Sequence, residues 1–164
     1  LFSCSNNISN IKCEKLDSLG IKYCYLDNFV KVNFNNEKYD GNGVMLANYI
    51  LKNDTISNIG FSIEQFFIKE HEVNTKGVIR KSLTILNQLN TNTKIISLDS
   101  CYNNSWVRYD IRYTYSTATY DCYYKDIIFI TKEDFLKFKY SYRCKKGEAL
   151  DKYKDFYLDV YILR

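Results

Sequence analysis

The chain has 164 residues, 46% of them hydrophobic and 26% charged, with a net charge of +4 at neutral pH. A chain of this length and composition buries one core and is not disordered, and no apolar run reaches the ~18 residues of a membrane-spanning helix. Acidic and basic residues are mixed along the sequence, which argues against the concentrated basic stripe of a nucleic-acid binder.

Leu1 stands where Met would open a full chain, and six cysteines follow, so the expectation is a removed signal peptide and a single secreted domain over 1–164. Apolar and β-branched residues predict strands at 21–26 and 29–34. The turn Asp40-Gly41-Asn42-Gly43 leads into a predicted helix at 44–51. Ser62 with Gln65 three residues later has the form of a capping box, opening a second helix through Phe66 and Phe67. Ile79, Leu83 and Leu86 share a helical face and predict a third helix over 78–89, with a strand as the alternative because Thr84 and Ile85 are β-branched.

The second half is strand-like. Residues 94–98 predict one strand, and from Trp106 to Cys122 a period of two predicts a single long one. In it Val107, Tyr109, Ile111, Tyr113 and Tyr115 alternate with Arg108, Asp110, Arg112, Thr114 and Ser116. Asp126 to Thr131 is a short apolar run suited to a central strand. Leu136, Phe138, Tyr140 and Tyr142 alternate with Lys137, Lys139, Ser141 and Arg143, and Phe156, Leu158, Val160 and Ile162 form the last stripe. The expected class is α+β: a disulfide-stapled antiparallel sheet, strand-rich in the C-terminal half, with one to three packed helices. An all-β barrel or sandwich is the alternative.

A helix at 78–89 followed by strands through Val107-Arg108-Tyr109 and Thr119-Tyr120-Asp121-Cys122 resembles the cystatin architecture over about residues 78–144. The Q-x-V-x-G loop with which that family inhibits is absent; Asn103-Asn104-Ser105-Trp106 stands in its place, and the chain has no proline for the family's Pro-Trp. The closing strand and Arg164 resemble the end of lipocalins, but the G-x-W near the start of that family is missing.

Cys4, Cys13, Cys24, Cys101, Cys122 and Cys144 are an even set and predict three disulfides, with Cys122–Cys144 the favoured pair if their strands are neighbours. Asn7, Asn53 and Asn103 head N-glycosylation triplets, as secretion would allow. There is no C-x-x-C and one histidine, His71 between Glu70 and Glu72, so neither a metal site nor a cofactor is expected. Catalytic signatures are absent too. Glu64, Glu70, Glu72, Glu133 and Asp134 show no pairing that would single out a hydrolase, and the chain is read as no enzyme.

Sixteen tyrosines exceed what one core face can absorb, and exposed Tyr and Trp favour recognition. Arg108 and Arg112, with Lys137, Lys139 and Arg143, would line a basic sheet face if their strands were adjacent. The sequence therefore predicts a secreted, non-enzymatic binding protein (effector, inhibitor or receptor-binding module) for an extracellular protein or glycan. Its expected contact residues are Tyr102, Trp106, Arg108, Arg112 and Tyr124. The second reading is a structural or surface-assembly subunit that self-associates through strand edges. Behind these stand a small-ligand carrier, which needs an empty aromatic interior, and a carboxylate-dependent hydrolase.

Overall fold

A computed structural model describes residues 10–32, 38–39, 43–52, 59–67, 93–131, 134–148 and 158–163. The described residues form eleven β-strands, a 3-10 turn at Asp17–Leu19 and no α-helix. β1 (Ile11–Leu16), β2 (Ile21–Leu26) and β11 (Leu158–Ile162) make a three-stranded antiparallel sheet in the order β1-β2-β11. The remaining strands are β3 (Phe29–Lys31), β4 (Lys38–Tyr39), β5 (Gly43–Leu51), β6 (Ile59–Phe67), β7 (Thr93–Tyr102), β8 (Val107–Ser116), β9 (Tyr120–Ile130) and β10 (Asp134–Lys145). They form an eight-stranded antiparallel sheet ordered β3-β5-β6-β10-β9-β8-β7, with β4 also on β5.

The expected helices are corrected by this pairing. Residues 44–51 lie in β5, and the segment opened by Ser62 lies within β6, paired with β10 from Ile59 to Phe67. Ser62 Oγ does not cap a helix; it donates to Glu64 Oε1 at 2.9 Å, its neighbour two residues on along the same strand face. Phe61 and Ile63 are buried on the other face, so the period of two overrides a local capping motif. The third expected helix, at 78–89, lies outside the described residues. The α+β class thus gives way to the all-β sandwich that was its alternative.

The long alternation from Trp106 to Cys122 is a hairpin, not one strand. β8 ends at Ser116, and Thr117 turns the chain: its N–H donates to Tyr120 O at 2.8 Å and its Oγ1 accepts from Tyr120 N–H at 2.9 Å. Asp126 to Thr131 falls largely in β9, where Ile127, Ile128, Phe129 and Ile130 are all buried, as a central strand covered on both faces requires.

Between the two sheets, Ile21, Tyr23, Tyr25, Leu158 and Val160 meet Tyr49, Phe61, Ile63, Ile127, Phe129, Phe138 and Tyr140 of the large sheet. The rings fill this space, with Tyr49 stacked on Phe61 at 4.3 Å and Tyr25 tilted on Phe61 at 5.1 Å. A carrier's empty interior is not what these residues build. Gly60, opposite Ile50 in the β5–β6 ladder, has no room for a side chain, because a Cβ there would lie 2.5 Å from the Tyr49 carbonyl oxygen. On the opposite face of the large sheet, Tyr109, Ile111, Tyr113, Ile128, Ile130 and Phe135 form a second buried cluster.

Candidate interaction surface

Three of the five expected contact residues are occupied inside the fold. Arg108 donates from Nη1 to Val160 O at 2.7 Å and grips Asp110 with Nε and Nη2, both at 3.0 Å. Lys125 Nζ donates to Leu158 O at 2.8 Å. Val160 and Leu158 belong to β11, one of the two edge strands of the small sheet among the described residues, so two cations of the large sheet satisfy carbonyls that would otherwise be exposed for pairing. Burial, with Arg112 beside it, pushes the Lys125 amine down. Trp106 packs edge-on to Phe129 at 5.9 Å. Tyr124 is stacked between Tyr113 at 5.1 Å and Tyr115 at 5.5 Å, under the Lys139 ammonium at 4.9 Å from its ring centre.

The basic face expected from sequence is not assembled. β9 separates β8 from β10, and register puts the two sets of cations on opposite faces. Arg108 lies opposite Phe129 on the face that carries the small sheet, whereas Lys137 and Lys139 lie opposite Ile128 and Asp126 on the other.

The cysteine framework is also corrected. Cys13 and Cys24 sit directly opposite each other on β1 and β2 and form a disulfide, while Cys101, Cys122 and Cys144 bond to no other cysteine among the described residues. β9 and β10 are neighbours as the favoured pairing required, but Cys122 lies opposite Arg143 and Cys144 opposite Asp121. Their side chains therefore leave opposite faces of the sheet and cannot bond. Cys4 lies outside the described residues, as do Asn7 and Asn53. Asn103 is exposed in the β7–β8 turn, where its Oδ1 accepts from the N–H groups of Ser105 at 2.8 Å and Trp106 at 3.0 Å.

Two carboxylate clusters within the fold escaped the sequence reading. Glu14 accepts from Tyr23 at 2.8 Å, Tyr49 at 2.9 Å and Tyr25, with Lys12 at 3.1 Å. Burial works to raise its pKa, but the hydrogen bonds from Tyr25, Tyr23, Lys12 and Tyr49 outweigh it and hold the carboxyl at about 2, against an ordinary 4.5. Asp126 is fully buried; its Oδ2 takes Lys137 at 3.0 Å and Tyr113 at 3.3 Å, and its Oδ1 has no hydrogen-bond partner among the described residues. An aspartate opening an apolar run was the available signal for Asp126. Nothing local could have found Glu14, because its donors come from separate stretches of chain. Of the acidic residues first considered for hydrolysis, Glu64 is paired with Ser62, Asp134 opens β10, and Glu70, Glu72 and Glu133 lie outside the described residues, as does His71.

The two exposed expected residues, Tyr102 on β7 and Arg112 on β8, lie at the same end of the strand order but on opposite faces of the sheet. Tyr102 is 81% exposed at the end of β7, and Arg112 is exposed opposite Ser97 of the same strand. β7 ends the large sheet and pairs only with β8 among the described strands. It also presents Ile95, Ile96 and Leu98 at 40, 49 and 47% exposure. Other sheet ends are shorter or blunted. β3 has three residues and β4 two, β1 carries Lys12, Glu14 and Lys15 in six, and β11 is capped by Arg108 and Lys125. A cleft of about 240 Å³ on the far face, lined by Asn48, Ser62, Lys139 and Ser141, offers mixed polar groups but no convergent charge.

No family model matches the sequence, and no curated protein matches it. Solved structures do. The chain is similar to cyanobacterial PsbP (CyanoP) from Synechocystis sp. PCC 6803, at 13% identity over 93% of this chain and 89% of that one, with a TM-score of 0.59. It is also similar to the Ran-binding protein Mog1p of Saccharomyces cerevisiae, at 10% identity over 80% and 77% of the two chains, with a TM-score of 0.50. At such identities the likeness establishes a common fold, and the chain's architecture is the one these two proteins share.

Proposed function

We propose that this domain is a secreted, non-enzymatic binding protein that engages a protein partner through β7 and the adjoining β7–β8 hairpin. The observation that carries the reading is the coincidence, on one edge strand, of Ile95, Ile96, Leu98 and Tyr102. An exposed edge strand offers main-chain donors and acceptors to an added strand, and its side chains supply the apolar anchors. Exposed aliphatic residues favour a protein over a glycan, for which stacked aromatic platforms serve better. Use of the same fold by a Ran-binding protein supports the binding class. The carboxylates with the most elaborate surroundings, Glu14 and Asp126, are engaged by side chains of the fold, which supports a non-catalytic reading. The Cys13–Cys24 bond and an exposed Asn103 support the extracellular setting.

Photo-crosslinking tests this. With Cys4 replaced by Ser and benzophenone placed on exposed Cys101, the intact chain should form protein adducts in extracellular fluid from its source. The pair Ile96→Asp and Leu98→Lys should abolish them while leaving circular dichroism unchanged. Adducts that persist in the double variant would overturn the proposal.

A further inference from the structure

We infer that the partner of β7 is a second copy of this chain, joined antiparallel about a two-fold axis between Ile96 and Ser97. The inference rests on the reading of β7 as the binding edge. The β7–β8 register shifts between Ile95 and Ser97, so Ile95 lies opposite Tyr113 and Ser97 opposite Arg112, with Ile96 as an extra residue.

In a regular strand, residues three apart leave opposite faces. Here the bulge restores phase, so that Ile95 and Leu98 share one face, and Lys94 and Asp99 share the other. A bulge normally protects an edge, because an incoming regular strand falls out of phase on one side of it. A strand carrying the same extra residue stays in phase on both sides. The matching strand on hand is β7 itself, turned about the bulge.

That register is chemically complementary. Lys94 of one copy meets Asp99 of the other, twice, and Ile95 meets Leu98, twice. Lys94 and Asp99 are exposed, and among the described residues neither has an ion-pair partner. Within its own sheet Asp99 lies opposite Asp110, a like charge already held by Arg108, so Asp99 gains from a cation supplied by a neighbour. One strand pair buries less than the ~1,200 Å² of a standard stable interface, so the dimer should be weak and concentration-dependent.

Charge reversal reads the register directly. Sedimentation velocity over a concentration series, in a Cys101→Ser background that prevents disulfide linking, should show a reversible monomer–dimer equilibrium. Lys94→Asp alone and Asp99→Lys alone should each weaken it by about tenfold, since attraction becomes repulsion at both symmetry-related pairs. Mixing the two single variants should restore dimers, because the first is acidic at both positions and the second basic at both, so opposite charges face each other at each pair. A chain monomeric at every concentration, or a dimer indifferent to these reversals, would overturn the self-pairing. In that event, edge-dependent adducts of Cys101 with a different protein would leave the reading of β7 standing, and their absence would remove both.

Discussion

Replacing Glu14 by Gln removes the charge around which one side of the sandwich is organised. Tyr23, Tyr25 and Tyr49 bring their hydroxyls to this carboxylate from β2 and β5, linking the small sheet to the large one. A carboxyl held at about 2 in the folded chain, against 4.5, is worth at most roughly 3 kcal/mol of stability at neutral pH, and less where solvent reaches its open side. Because the folded value is depressed, that contribution is present in full above about pH 5 and is lost as pH falls toward 2. Glutamine keeps one acceptor but turns an N–H₂ toward hydroxyls that still need acceptors, so the variant should lose about 2 kcal/mol. Urea unfolding of both proteins at neutral pH and through the acid range gives the answer. The wild type should weaken steeply below pH 5, and Glu14→Gln should start lower and slope less. Parallel acid limbs would refute the assignment of this linkage to Glu14.

Gly60→Ala forces a Cβ against the Tyr49 carbonyl and should cost about 1–3 kcal/mol, read as a lowered urea midpoint with unchanged slope. Replacing both Cys13 and Cys24 by Ala opens a short loop, worth about 3 kcal/mol in the chain-entropy model, and should lower the melting temperature without abolishing folding. Arg108→Met leaves Asp110 and the Val160 carbonyl without their guanidinium, and should speed amide exchange across β11 while leaving β6 and β10 protected.

Where one residue pattern served one element, the sequence was legible. β2 falls at 21–26 as expected, and 94–98 lies inside β7. The stripe Leu136 to Tyr142 faces the core from β10. Local signals failed where a distant partner decided the outcome. Ser62 and Gln65 imitate a helix start, yet β5 and β10 flank that segment and hold it extended. Thr117-Ala118-Thr119 turns the chain with no Gly, Pro or Asn to mark it, so two strands read as one. Cys122 and Cys144 needed a register to be judged, and a shift of one residue places them on opposite faces. Arg108 looked like an exposed recognition residue because its acceptor, Val160, lies 52 positions along the chain. Tyr102 was identifiable as a surplus aromatic, but the bulge that gives β7 its character is a property of pairing and leaves no mark in Ile95-Ile96-Ser97.

The most direct test of the central claim is amide hydrogen exchange of the intact chain, free at low concentration and then saturated with its bound partner. Binding through the edge predicts that β7 amides from Lys94 to Asp99 become protected, with the Lys139 cleft and the Tyr113–Tyr124 stack unchanged. Protection confined to the cleft or the stack, with β7 exchanging as before, would contradict it.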